Sequence, residues 1–297
     1  YLALSPEASG SAKNLTEVTR DGRSVDETVA AVDPDVVVRN HRLRPGAFDF
    51  DTERTVVHIR HGASVGRGEV AVTTAELGDV VDVALAPGER WAARYREEFP
   101  DDVRVAVVGV PEADALVNSD PPRERRVLYA PTNHNYGSGS YLNTADSILD
   151  AFAGSEYELL FRPHPMDRIE EPGTSVTERC RERIESLPNV TFDDSDTPRE
   201  SLHQSDMLIS DYSGIVTEWL HTDRPMIQLT DLAGEADPPQ AGTTTDTVSI
   251  GLVEDLYENG PPVEIREKRA EFRSSLGIPM DGQAGERAAA RIQVCTE

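Results

Sequence analysis

Apolar residues in this chain fall into short continuous runs, separated by polar stretches in which apolar positions recur every three or four residues. In the first part the runs are YLAL (1–4), DVVVRN (35–40), TVVHIRHG (55–62), DVALAPG (82–88) and VRVAVVGVP (103–111). Runs of this length, rich in β-branched residues and bounded by Gly, Pro and Asp, predict strands buried on both faces, as in a parallel sheet. Between them SVDETVAAV (24–32) and ERWAARYREEF (89–99) have helical spacing. The periodicity breaks at NSDPPRERR (118–126), where Pro-Pro and charge predict a linker.

A second series follows. RRVLYAPT (125–132), YELLFRPHP (157–165), VTFDD (190–194), the run ending at Asp211 and PMIQL (225–229) predict strands. YLNTADSILDAFAG (141–154), TSVTERCRERIESL (174–187) and the short PRESLHQS (198–205) predict the helices between them. The stretch from about 231 to 262, rich in Gly, Pro, Thr and Asp, is expected to form loops, and IREKRAEFRSSL (265–276) and GERAAARIQV (285–294) terminal helices. Two successive series imply an α/β protein of two Rossmann-like, doubly wound domains facing a central cleft, residues 1–120 and 121–297. Ligands of such folds sit at the carboxyl ends of strands. The chain opens on what reads as the end of a strand, so a first strand is expected to precede it.

Composition changes the picture in one respect. Against 54 Asp and Glu stand 29 Lys and Arg, a net charge of −25, and only Lys13 and Lys268 are lysines. Such a surface repels nucleic acid and anionic headgroups, so nucleic acid is not an expected partner and any phosphate site must be local. The acids are spread over the whole chain, the pattern of a surface adapted to concentrated salt, where charge is screened within about 3 Å at 1 M; a halophilic source is expected. Cys180 and Cys295 are far apart and show no metal-binding spacing. No apolar run reaches the roughly 20 residues of a membrane span, so a cytoplasmic protein is expected.

Four predicted strands end on groups able to hold phosphate or move protons: His61, Thr132, the pair Arg162 and His164, and the pair Asp211 and Ser213. In LISDYSGIVTEWL (208–220) a buried strand stops at Asp211 and a helix starts at Ser213-Gly214. The first amides of a helix have no intrahelical acceptor and lie at the positive end of its dipole, which suits a phosphate. An ordinary N-cap made by Ser213 or Asp211 would satisfy the same amides. Glu218, further along that helix, can accept from ribose hydroxyls or stand as a solvated acid. In FRPHP, Arg162 and His164 share one face of an extended segment, Arg as a bidentate phosphate ligand and His as a short donor. His58 lies within its strand and reads as a sheet histidine. His61 stands at the exit beside Gly62 and Ser64, where a histidine can act as general base toward a hydroxyl.

Taken in order, HGASVGRG (61–68), RRVLYAPT, FRPHP, ISDYSGIVTEWLHTDRPMIQL (209–229) and DGQAGERAAARI (281–292) resemble the motifs of the CDP-glycerol glycerophosphotransferases, a family that includes teichoic acid polymerases and primases and has a GT-B fold. The resemblance covers about two thirds of the chain and is most specific from Arg126 to Leu229. It implies transfer of glycerol phosphate, or a related polyol phosphate, from a CDP-linked donor to a hydroxyl acceptor in the synthesis of a cell-surface polymer or glycan, with release of CMP. His61 would be the catalytic base, and Gly62 and Ser64 would lie on the acceptor side. Thr132, Arg162, His164, Asp211, Ser213, Gly214 and Glu218 would bind the donor. No cofactor or metal cage is implied. The acceptor would be a polyol phosphate, a glycan or a lipid-linked sugar, with peripheral contact at the inner face of the membrane.

This chain departs from the family's pattern in places. Gly214 replaces a second serine, Glu218 stands where the family often has Asp, Gly285 stands where it usually has Ser, and Ala63-Ser64 replaces Thr-Pro after the His-Gly pair. Donor chemistry is thereby better supported than acceptor chemistry. The residues alone leave open a GT-B glycosyltransferase or epimerase using a nucleotide sugar, and a non-catalytic binding module of the same fold.

Overall fold

The computed structural model describes residues 2–3, 16–17, 22–40, 48–49, 54–60, 63, 75–117, 119–136, 139–195, 197–234 and 239–295. The strands β1 (Leu2–Ala3) and β2 (Thr16–Glu17) form a small parallel pair. The N-terminal sheet contains β3 (Val36–Arg39), β4 (Thr55–Ile59), β5 (Val83–Ala86) and β6 (Arg104–Val107), all parallel and adjacent in chain order. Three helices accompany it: α1 (Val25–Val32), the single turn α2 (Ala75–Gly78) and α3 (Glu89–Glu98). Helix α1 starts with a capping box in which Ser24 and Glu27 satisfy each other's amides, and α3 buries Trp91, Ala92 and Tyr95.

After a 3-10 turn at Pro111–Leu116, the second sheet is built from β7 (Arg126–Tyr129), β8 (Glu158–Phe161), β9 (Val190–Phe192), β10 (Met207–Ser210), β11 (Met226–Leu229) and β12 (Thr243–Thr245). Its order is β12-β11-β10-β7-β8-β9 and every pair is parallel. This is the Rossmann order, and its direction reverses between β7 and β10. Strands β10 and β11 are buried at all four positions, as expected of central strands covered on both faces. The covering helices are α4 (Tyr141–Phe152), α5 (Gly173–Ile184), α6 (Arg199–Gln204), α7 (Gly214–Trp219), α8 (Ile250–Asn259), α9 (Val263–Leu276) and α10 (Ala284–Gln293).

Two expectations need correction. Part of the segment expected as loops, 231–262, is ordered secondary structure: β12 extends the sheet edge and α8 buries Val253 and Leu256. Ser249 caps α8 by accepting from Leu252 N, and Gly260 with φ +69° stops it. The helix is framed by a cap and a glycine, but the Gly, Pro and Thr around it hide that pattern. The second correction concerns α10, which sequence order assigns to 121–297. It packs on the N-terminal sheet: Ala288 shares a cluster with Val57, Val83, Leu85 and Val108, Arg287 Nε donates to Val108 O at 2.8 Å, and its first amides, Ala284 N and Gly285 N, donate to the Asp114 carboxylate at 2.9 and 2.7 Å.

One apolar cluster runs without a break from Val56, Trp91 and Tyr95 through Ala113 and Leu116 to Leu208, Ile215 and Trp219, joining the two sheets. The expected linker is held fast. Asp206 accepts from Arg123 N, Glu124 N and Arg126 N, and the Arg224 guanidinium donates to Ser119 Oγ and Asp120 O on one side and to Leu202 O and Ser205 O on the other. Arg269, also buried, donates to the carbonyls of Trp219, Thr222 and Arg224 just past α7, where a cation complements the helix dipole.

Candidate active site at the switch point

The crevice where the strand order reverses is floored by the exits of β7 and β10. Asp211, fully buried, lies at its base. Its carboxylate accepts from Thr132 N at 3.0 Å, Thr132 Oγ1 at 2.6 Å, Ser140 N at 3.0 Å, Ser140 Oγ at 2.8 Å, Tyr212 N at 2.6 Å and Ser213 N at 3.2 Å. Thr132 and Asp211, both expected to touch a donor, are therefore spent on each other. They are supports that fix the two strand exits, because the described residues of the loop after β7 lie outside the sheet's ladder.

Above this floor α7 begins. Ser213 makes no side-chain cap bond, and Asp211 accepts from Tyr212 and Ser213, before the helix starts. The start of α7 is thus without the ordinary N-cap that would have explained its sequence. Ser213 and Gly214 are half-buried, and a side chain at 214 would meet no heavy atom within 4 Å, so space is left above the helix start.

Arg162 and His164 leave β8 beside this point. Arg162 is 6 % exposed and already engaged: Nη1 donates to Asp193 Oδ2 at 2.8 Å and Ser195 Oγ at 2.7 Å, and Nη2 to Ser195 O at 2.9 Å. Burial pushes the Asp193 carboxyl up, but hydrogen bonds from Ser195, Ser201 and Arg162 outweigh it and hold it below the usual range. In this state Arg162 acts on the crevice through its field, not through direct contact. His164 Nδ1 accepts from Met166 N at 3.1 Å and faces Asn133 Nδ2 at 3.3 Å, which leaves Nε2 as the proton-bearing nitrogen of the neutral ring.

Glu218 lies on α7, which packs against the 3-10 turn Pro111–Leu116 of the N-terminal domain. Burial, and after it the Glu112 carboxylate from that turn, push Glu218 up to about 8, against the pull of Arg162. Two acids from different domains thus oppose each other across the seam. Glu112 also lines a recess with Ile59, Arg60, Leu85 and Pro87 at the strand exits of the N-terminal sheet. Sequence reading missed Glu112. Its only signal was a proline following a strand exit.

His61, Gly62 and Ser64 lie outside the described residues. His58 is on β4, 5 % exposed, and burial, followed by Arg60 and Arg39, lowers it to about 4. It is a neutral sheet histidine, edge-on to Tyr95. Among the described residues no group of three His, Cys, Asp or Glu could hold a metal ion, and no helix is long and apolar enough to cross a membrane.

Two α/β domains of GT-B type, with a switch-point crevice suited to a phosphate and a carboxylate on the same helix, are the architecture of proteins that act on nucleotide-linked substrates. Residues 9–233 match the family described as CDP-glycerol:poly(glycerophosphate) glycerophosphotransferase, and the chain belongs to that family. It is an enzyme of the CDP-glycerol glycerophosphotransferase type. No curated protein sequence matches it. Among solved structures it resembles the wall teichoic acid polymerase TagF, with TM-score 0.69 and 17 % identity over 99 % of this chain and 80 % of that one. It also resembles a putative UDP-N-acetylglucosamine 2-epimerase from Listeria monocytogenes, with TM-score 0.59 and 17 % identity over 90 % and 75 % of the two chains. A UDP-GlcNAc 2-epimerase from Neisseria meningitidis bound to UDP-GlcNAc matches at TM-score 0.57 and 16 % identity, over 91 % and 79 %. At these identities the likeness establishes the fold.

Proposed function

We propose that the crevice binds CDP-glycerol with its diphosphate over the start of α7 and its ribose hydroxyls donating to Glu218, and that glycerol phosphate passes from there to a hydroxyl of a poly(glycerol phosphate) acceptor. The acceptor oxygen attacks the phosphorus that bears glycerol, the bond from that phosphorus to the bridging oxygen breaks, and CMP leaves with the electron pair. His61 takes the acceptor's proton. The Arg162 field, a hydrogen bond from His164 Nε2, the Ser213 hydroxyl and the Gly214 amide stabilise the charge that grows on the transferred and leaving phosphates. Thr132 and Asp211 serve as the floor. The reaction runs on the cytoplasmic side, and a lipid-borne acceptor would bring the cleft to a membrane surface.

The observation that carries this reading is the uncapped start of α7 at a Rossmann switch point, with Glu218 one turn further on. Calorimetric titration with CDP-glycerol, CMP, UDP and GDP, repeated on Ser213→Ala, tests the donor. Incubation with CDP-glycerol and a poly(glycerol phosphate) primer, repeated on His61→Ala, tests the transfer. Selective cytidine binding and His61-dependent CMP release are expected. Preference for UDP or GDP would overturn the reading in favour of a nucleotide-sugar enzyme, and binding without turnover in favour of a binding module.

A further inference from the structure

Beside the donor crevice lies a buried pair that the mechanism above does not use. His134 Nδ1 and Asp167 Oδ1 are 2.5 Å apart, with side chains 6 % and 0 % exposed. The same oxygen accepts from His134 N at 3.1 Å, and His134 Nε2 meets Glu171 O at 3.1 Å. Both ring nitrogens face oxygens, so both contacts are made when the pair holds two protons, whether the second sits on the imidazole or on Asp167. Burial pushes the Asp167 carboxyl up, against the hydrogen bonds from His134, and its other oxygen, Oδ2, is buried with no partner among the described residues. His134 has no route to a substrate, because both of its nitrogens are occupied inside the protein.

What the pair joins gives it a role. It ties the loop after β7 to the 3-10 turn Pro165–Arg168 after β8. The preceding residue of each partner touches His164: Asn133 Nδ2 lies 3.3 Å, and Met166 N 3.1 Å, from His164 Nδ1. The imidazole of His164 is therefore gripped between two segments, and the next residue of each segment forms the His134–Asp167 bolt behind it. A second tie, Asn135 Nδ2 to Glu170 Oε2 at 2.5 Å, joins the same segments nearer the surface. Asp167 O accepts from Thr177 Oγ1, whose hydroxyl also meets Tyr141 OH, so the bolt is anchored to α4 and α5. There is no spare room: a Cβ at Gly173 would stand 2.7 Å from Asp167 Oδ1 and from His134 Nδ1.

We propose that His134 and Asp167 are positioning residues that lock His164 between Asn133 and Met166, with its Nε2–H presented to the diphosphate of the donor. The inference rests on the donor reading given above and extends it to residues that touch no ligand.

Two measurements test it. In protein labelled with 15N-histidine, the His164 ring nitrogens should report one fixed tautomer, with the proton on Nε2. In His134→Ala, and in Gly173→Ala, which displaces the pair without removing it, those signals should move toward tautomer averaging. Calorimetry should show CDP-glycerol binding weakened about tenfold in both variants, equivalent to about 1.4 kcal/mol. Cytidine, which carries no phosphate, should bind as in the wild type. Melting curves confirm that each variant is folded, and the exposed tie offers a milder one, Asn135→Ala, with a smaller loss in the same direction.

An unchanged His164 tautomer in folded variants would overturn the inference, as would equal weakening of CDP-glycerol and cytidine. If the wild-type protein fails to bind CDP-glycerol, the donor reading fails by itself, and the tautomer measurement still decides whether the bolt sets His164.

Discussion

Glu218→Gln isolates the energetics of the domain seam. Native Glu218 keeps its proton up to about pH 8, whereas in the unfolded chain it releases it near the ordinary value of 4.5. Folding thus takes up a proton between these values. The stability this group contributes is fully present below about pH 4.5 and is lost as pH rises through about 8, when a charge must be held beside Glu112 in a desolvated place. At about 1.4 kcal/mol per pH unit the interval corresponds to a ceiling of about 5 kcal/mol. The residue is half-buried, so water relieves some of that cost, and a difference of about 2–3 kcal/mol is expected.

Glutamine keeps the shape and removes the titration. Urea unfolding of both proteins between pH 5 and 9 should give stabilities within about 1 kcal/mol at pH 5 and a variant more stable by about 2–3 kcal/mol at pH 9. Apart from Glu112, which faces Glu218 across the seam, the same groups surround both proteins, so their difference reports Glu218 and its coupling to Glu112. Glu112→Gln should move the midpoint of the wild-type curve downward. On the proposed donor reading, ribose hydroxyls that donate to Glu218 favour its ionised form, so donor binding should release a proton near pH 7, seen as a binding enthalpy that depends on the buffer, and affinity should rise with pH up to about 8. A difference curve flat from pH 5 to 9 would refute the whole chain of reasoning, since it would mean that the carboxyl is not desolvated by the seam.

Asp211→Asn should destabilise the protein by about 2–4 kcal/mol in urea unfolding, because an amide cannot accept from all the donors that converge there and turns its own N–H groups toward some of them. Gly214→Ser should fold at least as well as the wild type, gaining about 0.5 kcal/mol of helix propensity in open space and raising donor affinity through its added hydroxyl; a fall in melting temperature would contradict the geometry at α7. Gly109→Ala should cost about 2 kcal/mol or more, since Gly109 has φ +101° and a Cβ there would stand 2.7 Å from Ala284 Cβ, prising α10 from the N-terminal sheet.

The strands were legible because a parallel sheet covered on both faces demands nearly continuous apolar runs: β5 and the first three residues of β10 are wholly apolar, and β4 and β11 are interrupted inside only by His58 and Gln228. The side to which α10 belongs was not legible, because an amphipathic stripe says that a face is covered but not by which sheet. The same limit governs the polar residues. A carboxylate or guanidinium at a strand exit serves a ligand and a neighbouring loop by the same hydrogen bonds, so the positions of Asp211, Thr132 and Arg162 could be read while their partners could not. Those partners are Ser140, Asp193 and Ser195, brought in from other strand exits. Glu112 was invisible for a related reason: its effect on Glu218 depends on how two domains meet. The arrangement also explains how so acidic a chain can hold a nucleotide diphosphate. Asp211 occupies the amides on the floor and Asp193 pairs with Arg162, so on the proposed reading direct contacts to a phosphate fall to the start of α7 and to His164, and a small displacement of either should be felt strongly in donor binding.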